Sequence, residues 1–132
     1  MNDFTFFSPE TAPAKAQPLL DALHKKLGFI PNLYAGLAAA PAALKGALDL
    51  SAAFSQTSLS QQEQIVVSLT ASVENGCEFC VAAHSSVARH VAEMDDASLT
   101  ALRAGHDPRD PKLQALARFT RSLVNQHGWV GE

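Results

Sequence analysis

Residues 59–92 read LSQQEQIVVSLTASVENGCEFCVAAHSSVARHVA, and this stretch decides the fold. Ser60 followed by Glu63 has the S-x-x-E spacing of a capping box, in which the serine side chain and the glutamate each satisfy a free backbone N–H at a helix start. Ile65, Val66, Leu69 and Val73 then recur at i, i+1, i+4 and i+8, the spacing of one apolar helix face. The pattern predicts a helix over about 61–73. Glu74-Asn75-Gly76 breaks it, because Asn-Gly favours a tight turn and Asn can cap the next helix. That second helix is expected from near Gly76, through Val81, His84, Val87, Ala88 and Val91, to about Ala92. Both cysteines of the chain, Cys77 and Cys80, then lie in its first turn.

Outward from this pair the same logic holds. No run of β-branched and aromatic residues alternates with polar ones, so the expected class is all-α. Upstream, Leu19, Leu20, Leu23 and Leu27 share a helix face that ends at Gly28, after a loose N-terminal arm. Pro31 and Pro41 suit first-turn positions and divide 29–54 into a short helix and a longer one from Pro41 to about Phe54. Downstream, MDDASLTALRAG gives a short helix closed by Gly105, and GHDPRDP is a loop. Pro111 after Asp110 opens a last helix whose apolar residues are Leu113, Leu116, Phe119, Leu123 and Val124, closed by Gly128.

The chain has 132 residues, enough for one domain spanning 1–132 and too few for two ordinary ones. Hydrophobic residues at 47% and charged residues at 17% suit a globular protein rather than a disordered one. A formal charge of -3, with no basic cluster longer than His24-Lys25-Lys26, gives no reason to bind nucleic acid. The N-terminus lacks the basic and apolar regions of a secretory signal, and no stretch approaches the roughly 18 apolar residues of a membrane span. A cytoplasmic protein with no membrane partner is expected. In that reducing compartment two cysteines at this spacing point to catalysis or metal binding rather than to a structural staple.

On a helix Cys77, Cys80 and His84 occupy i, i+3 and i+7, one stripe about two turns long. Free N–H groups and the positive helix end stabilise a thiolate there, lowering a thiol from about 8.5 into the range of about 3.5 to 7.5. His84 is placed to accept a thiol proton, and a carboxylate behind it would fix its tautomer. Two carboxylates compete for that place. Glu63 is equally explained by the capping box, and Glu74 by an exposed helix end; Glu78 is best explained as a complement to the helix N-terminus.

Other uses of the cysteines are less well supported. Zinc would find three ligands but no convincing second Cys/His pair. A c-type haem needs histidine directly after the second cysteine, where Val81 stands, and a thioredoxin-type site needs a preceding strand. Plain packing of two small side chains is the remaining alternative. No metal and no cofactor are expected. His24, His90, His106 and His127 read as surface or capping residues, and Phe79 and Trp129 as packing residues.

ENGCEFCVAAHS, preceded by LSQQEQIVVSLTASV, resembles the core of the carboxymuconolactone decarboxylase superfamily, and within it the alkyl hydroperoxidase D branch. LGFIPNLYAGLAAAPAALKGALDL resembles the segment that precedes that core, so the similarity covers roughly residues 27 to 91, with the core motif at about 58–92. The resemblance implies an all-helical fold assembled as trimers or hexamers, with the dithiol helix near a subunit contact. It further implies a peroxidase: Cys80 attacks an organic hydroperoxide or hydrogen peroxide, Cys77 resolves the sulfenic acid, His84 relays the proton, and an external dithiol reductant restores the pair. The family's relay glutamate lies on the preceding helix, which nominates Glu63, with Glu74 as second candidate. Similar proteins often continue with more helix beyond the point corresponding to HGWVGE. Taken on their own, the residues leave the order of attack open, since the first cysteine of a helix-opening pair is usually the more acidic one. A redox-responsive interaction module and a lactone decarboxylase are the competing functions; decarboxylating members generally lack the dithiol.

Overall fold

The computed structural model describes residues 5–130; residues 1–4 of the N-terminal arm and 131–132 of HGWVGE lie outside the described residues. Among the described residues there are seven helices and no strand. They divide at Thr57/Ser58 into two compact units.

The first unit holds α1 (Gln17–Leu27), α2 (Asn32–Leu37) and α3 (Pro41–Ser55). Gly28 ends α1 in the left-handed region at φ 78, its N–H donating to His24 O at 2.8 Å. Pro31 stands at the N-cap of α2 and Pro41 opens α3, where a missing N–H costs nothing. Leu20, Leu23, Ala38 and Leu44 are buried together with Ala12 and Ala16. Leu27, expected on the inner face of α1, is exposed.

The second unit holds α4 (Gln61–Glu74), α5 (Glu78–His90), α6 (Asp96–Arg103) and α7 (Pro111–Asn125). α4 packs against the other three, and Ile65, Val66 and Leu69 on it meet Ala88, Leu99, Leu102 and Ala117 in one buried cluster. Glu63 pairs with Lys112 near the start of α4 and α7, and Glu74 with Arg121 near their ends, so the two helices run parallel. Asp95 and Asp110 cap α6 and α7 by accepting backbone N–H groups.

Two expectations are corrected, the start of α5 and the packing role of Phe79 and Trp129. α5 begins at Glu78 rather than Gly76, because Gly76 takes φ 63 and cannot continue a right-handed helix. Phe119 and Leu123 of α7 face solvent while Ala117 and Thr120 are buried; Val87 of α5 and Val91 at its C-cap are likewise exposed. Phe79 and Trp129, read as packing residues, are 57% and 82% exposed.

Candidate functional site

The cysteine pair is built on the corner between α4 and α5. Gly76 donates to Val73 O at 3.0 Å and Cys77 N–H to Ser72 O at 3.0 Å, the two bonds of a Schellman closure with glycine in the left-handed position. Cys77 is therefore the residue that finishes α4, and it is also the N-cap of α5: its Sγ accepts the Cys80 N–H at 3.3 Å. Its own dihedrals, φ -85 and ψ 88, are not helical. The stripe read from the sequence thus holds for Cys80 and His84, which are four residues apart on α5, while Cys77 joins them from the cap position. The two sulfurs are bonded in this structure, with the Cα atoms 5.3 Å apart. Both cysteines are half-buried.

His84 is half-buried on the next turn, and burial pushes its imidazole below its ordinary value near 6.5. Among the described residues no hydrogen bond or ion pair reaches this ring. The two nominated carboxylates are engaged by other partners. Glu63 completes the capping box: its Oε2 accepts the Ser60 N–H at 2.7 Å, and Ser60 Oγ accepts the Glu63 N–H at 3.3 Å. Its Oε1 is 2.6 Å from Lys112 Nζ, and these partners lower its carboxyl to about 2, the lysine contributing most. Glu63 is eleven residues from Glu74 along α4, about 16 Å at helical rise.

Glu74 is the last residue of α4 and sits three residues before Cys77. Its Oε1 accepts from Arg121 Nε and its Oε2 from Asn125 Nδ2, both at 2.9 Å. Arg121 also donates through Nη1 to Asp107 Oδ1 at 2.9 Å and through Nη2 to Gly105 O at 3.0 Å. Asp107 is shared with Arg118 at 2.6 Å, and the two guanidinium groups hold its carboxyl below the usual range. The sequence offered no signal for this network, because Arg121 is 47 residues from Glu74 and belongs to no motif.

A cleft of about 420 Å³ opens beside the same corner, lined by Val73, Gly76, Glu78, Val81 and Arg103 among others; its lining includes neither cysteine nor His84. Among the described residues no group of three or more His, Cys, Asp or Glu is arranged to hold a metal. No helix among them is long and apolar enough to cross a membrane.

An all-helical unit with a Cys-x-x-Cys pair opening a helix, and a histidine one turn beyond, defines a class of dithiol protein. The model of the carboxymuconolactone decarboxylase family matches residues 31–122, and the chain belongs to that family. The match runs through both compact units. A search of curated proteins finds no match.

Proposed function

We propose that the protein is a thiol-dependent hydroperoxide reductase of the alkyl hydroperoxidase D-like branch, working in the cytoplasm. The observation that carries this reading is the setting of the pair: Cys77 Sγ takes the Cys80 N–H at the positive end of α5, with His84 one turn further on. In the reaction neutral His84 takes the Cys80 thiol proton and the thiolate attacks the hydroperoxide; an S–O bond forms, the O–O bond breaks, and the departing alkoxide takes that proton back from His84 to leave as alcohol. Neutral again, His84 takes the Cys77 thiol proton; the Cys77 thiolate attacks the sulfenic sulfur, the S–O bond breaks as the disulfide forms, and the departing hydroxide takes that proton from the imidazolium to leave as water. An external dithiol returns two electrons and two protons. Cys77, Cys80 and His84 carry these steps. Glu74 and Glu63, bound to Arg121 and Lys112, assist by holding the helices that present them.

Adding one equivalent of an organic hydroperoxide to the reduced protein should consume both thiols and give an intramolecular Cys77–Cys80 disulfide by peptide mass. In Cys77→Ser a sulfenic acid should be trappable on Cys80. If neither thiol reacts, the proposal fails; a sulfenic acid found only in Cys80→Ser would reverse the order. The family name supports a second chemistry, lactone decarboxylation, which would survive replacement of both cysteines by serine. Exposed Phe79 and Val87 on the dithiol helix and Val91 at its C-cap favour a further alternative, a redox-responsive interaction module. Sustained peroxide consumption with a recycling dithiol excludes that module as the main function.

A further inference from the structure

We infer that Arg121 is a positioning residue for the dithiol: it locks the corner in which Cys77 both closes α4 and caps α5. The inference rests on the reading of the cysteine pair as redox-active. Each nitrogen of the guanidinium is engaged: Nε with Glu74, Nη1 with Asp107, Nη2 with Gly105 O. The acceptors belong to two chain corners. Glu74 is the last residue of α4, and Gly105 ends α6 in a closure of the same kind, with Gly105 N–H to Leu102 O and His106 N–H to Ala101 O. A Cβ added at Gly105 would meet Val73 Cγ1 at 3.7 Å, so the Gly105 turn lies beside the end of α4 with room for little more than a methyl group on that side.

Glu74 has no freedom left, since Asn125 holds its second oxygen. Two residues separate it from Cys77, and both are fixed by backbone bonds to α4: Asn75 to Ala71 O and Gly76 to Val73 O. A shift of the α4 end is therefore passed to Cys77, whose Sγ is tied here to Cys80 by the disulfide and accepts one N–H at 3.3 Å, so that on reduction this N–H is what is left of the cap. Arginine suits the task because a planar fork meets three acceptors at fixed angles, which a lysine ammonium cannot do. The side chain is only 25% exposed, so these pairs are screened less than surface ones.

The test reads thiol reactivity and needs no peroxide. In reduced full-length protein carrying Cys80→Ser, the pH dependence of iodoacetamide alkylation at Cys77 is compared with and without Arg121→Met. Arg121→Met should move the alkylation midpoint up toward about 8.5, the value of a free thiol, and slow alkylation at pH 7 roughly three- to tenfold. Arg121→Lys, which keeps one charge facing Glu74, should fall between the two. An unchanged midpoint and rate in Arg121→Met, even with a lower melting temperature, would show a merely structural role and overturn the inference. Should Arg121→Met fail to fold, Asp107→Asn decides in the same way, because it loosens the arginine while keeping a hydrogen-bonding side chain. Absence of peroxide reduction would sink the proposed function and leave this readout intact.

Discussion

Cys77 serves two helices with two different atoms, its N–H closing α4 and its sulfur capping α5. That sulfur is bonded to Cys80 here; once reduced, a cysteine at a helix N-terminus is in the general setting that favours a thiolate. His84 complements it by being neutral: burial lowers its proton affinity, so at pH 7 the ring has a nitrogen free to accept a proton. The same burial makes stability depend on pH. The unfolded histidine titrates near 6.5 and the folded one lower, so as pH falls through 6.5 the unfolded state binds more protons and the native state loses stability. Urea midpoints of the wild type and His84→Gln, measured at pH 7.5 and pH 5, should show the larger fall for the wild type. Equal falls would mean that the ring is solvated.

α4 and α7 are joined at both ends by ion pairs, Glu63 with Lys112 and Glu74 with Arg121. The first of these is also a helix cap, so its loss has two signatures. Ser60→Ala removes the acceptor for the Glu63 N–H and should cost about 1 kcal/mol in a urea melt at pH 7. Glu63→Gln should flatten acid unfolding. The native carboxyl is held at about 2 against an ordinary 4.5, so the stability it contributes is complete above 4.5 and is lost as pH falls toward 2. A Glu63→Gln midpoint that declines as steeply as the wild type over that window would place the acid sensitivity elsewhere. The cap was legible because Ser60 and Glu63 are three residues apart and a capping box is a local object. The corner was legible too, since Asn75-Gly76 marks where the right-handed path must stop. Arg121 was not, because nothing local distinguishes an arginine that meets Glu74, Asp107 and Gly105 from one in solvent. The exposure of Phe119 and Leu123 was not legible for a related reason: periodicity shows that α7 has an apolar stripe, whereas the packing of α4 against it decides that Ala117 and Thr120 are covered.

Val87 on α5, Val91 at its C-cap, and Phe119 and Leu123 on α7 face solvent, with Val91 55% and Phe119 53% exposed. Large apolar side chains exposed on the two helices that also carry the dithiol and its arginine are candidates for burial against another chain. Charge gives no reason for the chain to stay apart, at a formal -3 over 132 residues. Sedimentation velocity at micromolar concentration should therefore report an assembly of several chains, in line with the trimers or hexamers that the family resemblance implies. Val91→Asp and Phe119→Asp each place a carboxylate where an apolar contact would be buried, a substitution that costs several kcal/mol at a desolvated interface and little on a free surface. Either change should shift the boundary toward single chains while leaving far-ultraviolet circular dichroism unaltered, since neither residue belongs to the buried cluster of its unit. A wild type that sediments as a single chain throughout would leave these residues as plain solvent-facing surface, and the dithiol would then have to work from one chain alone.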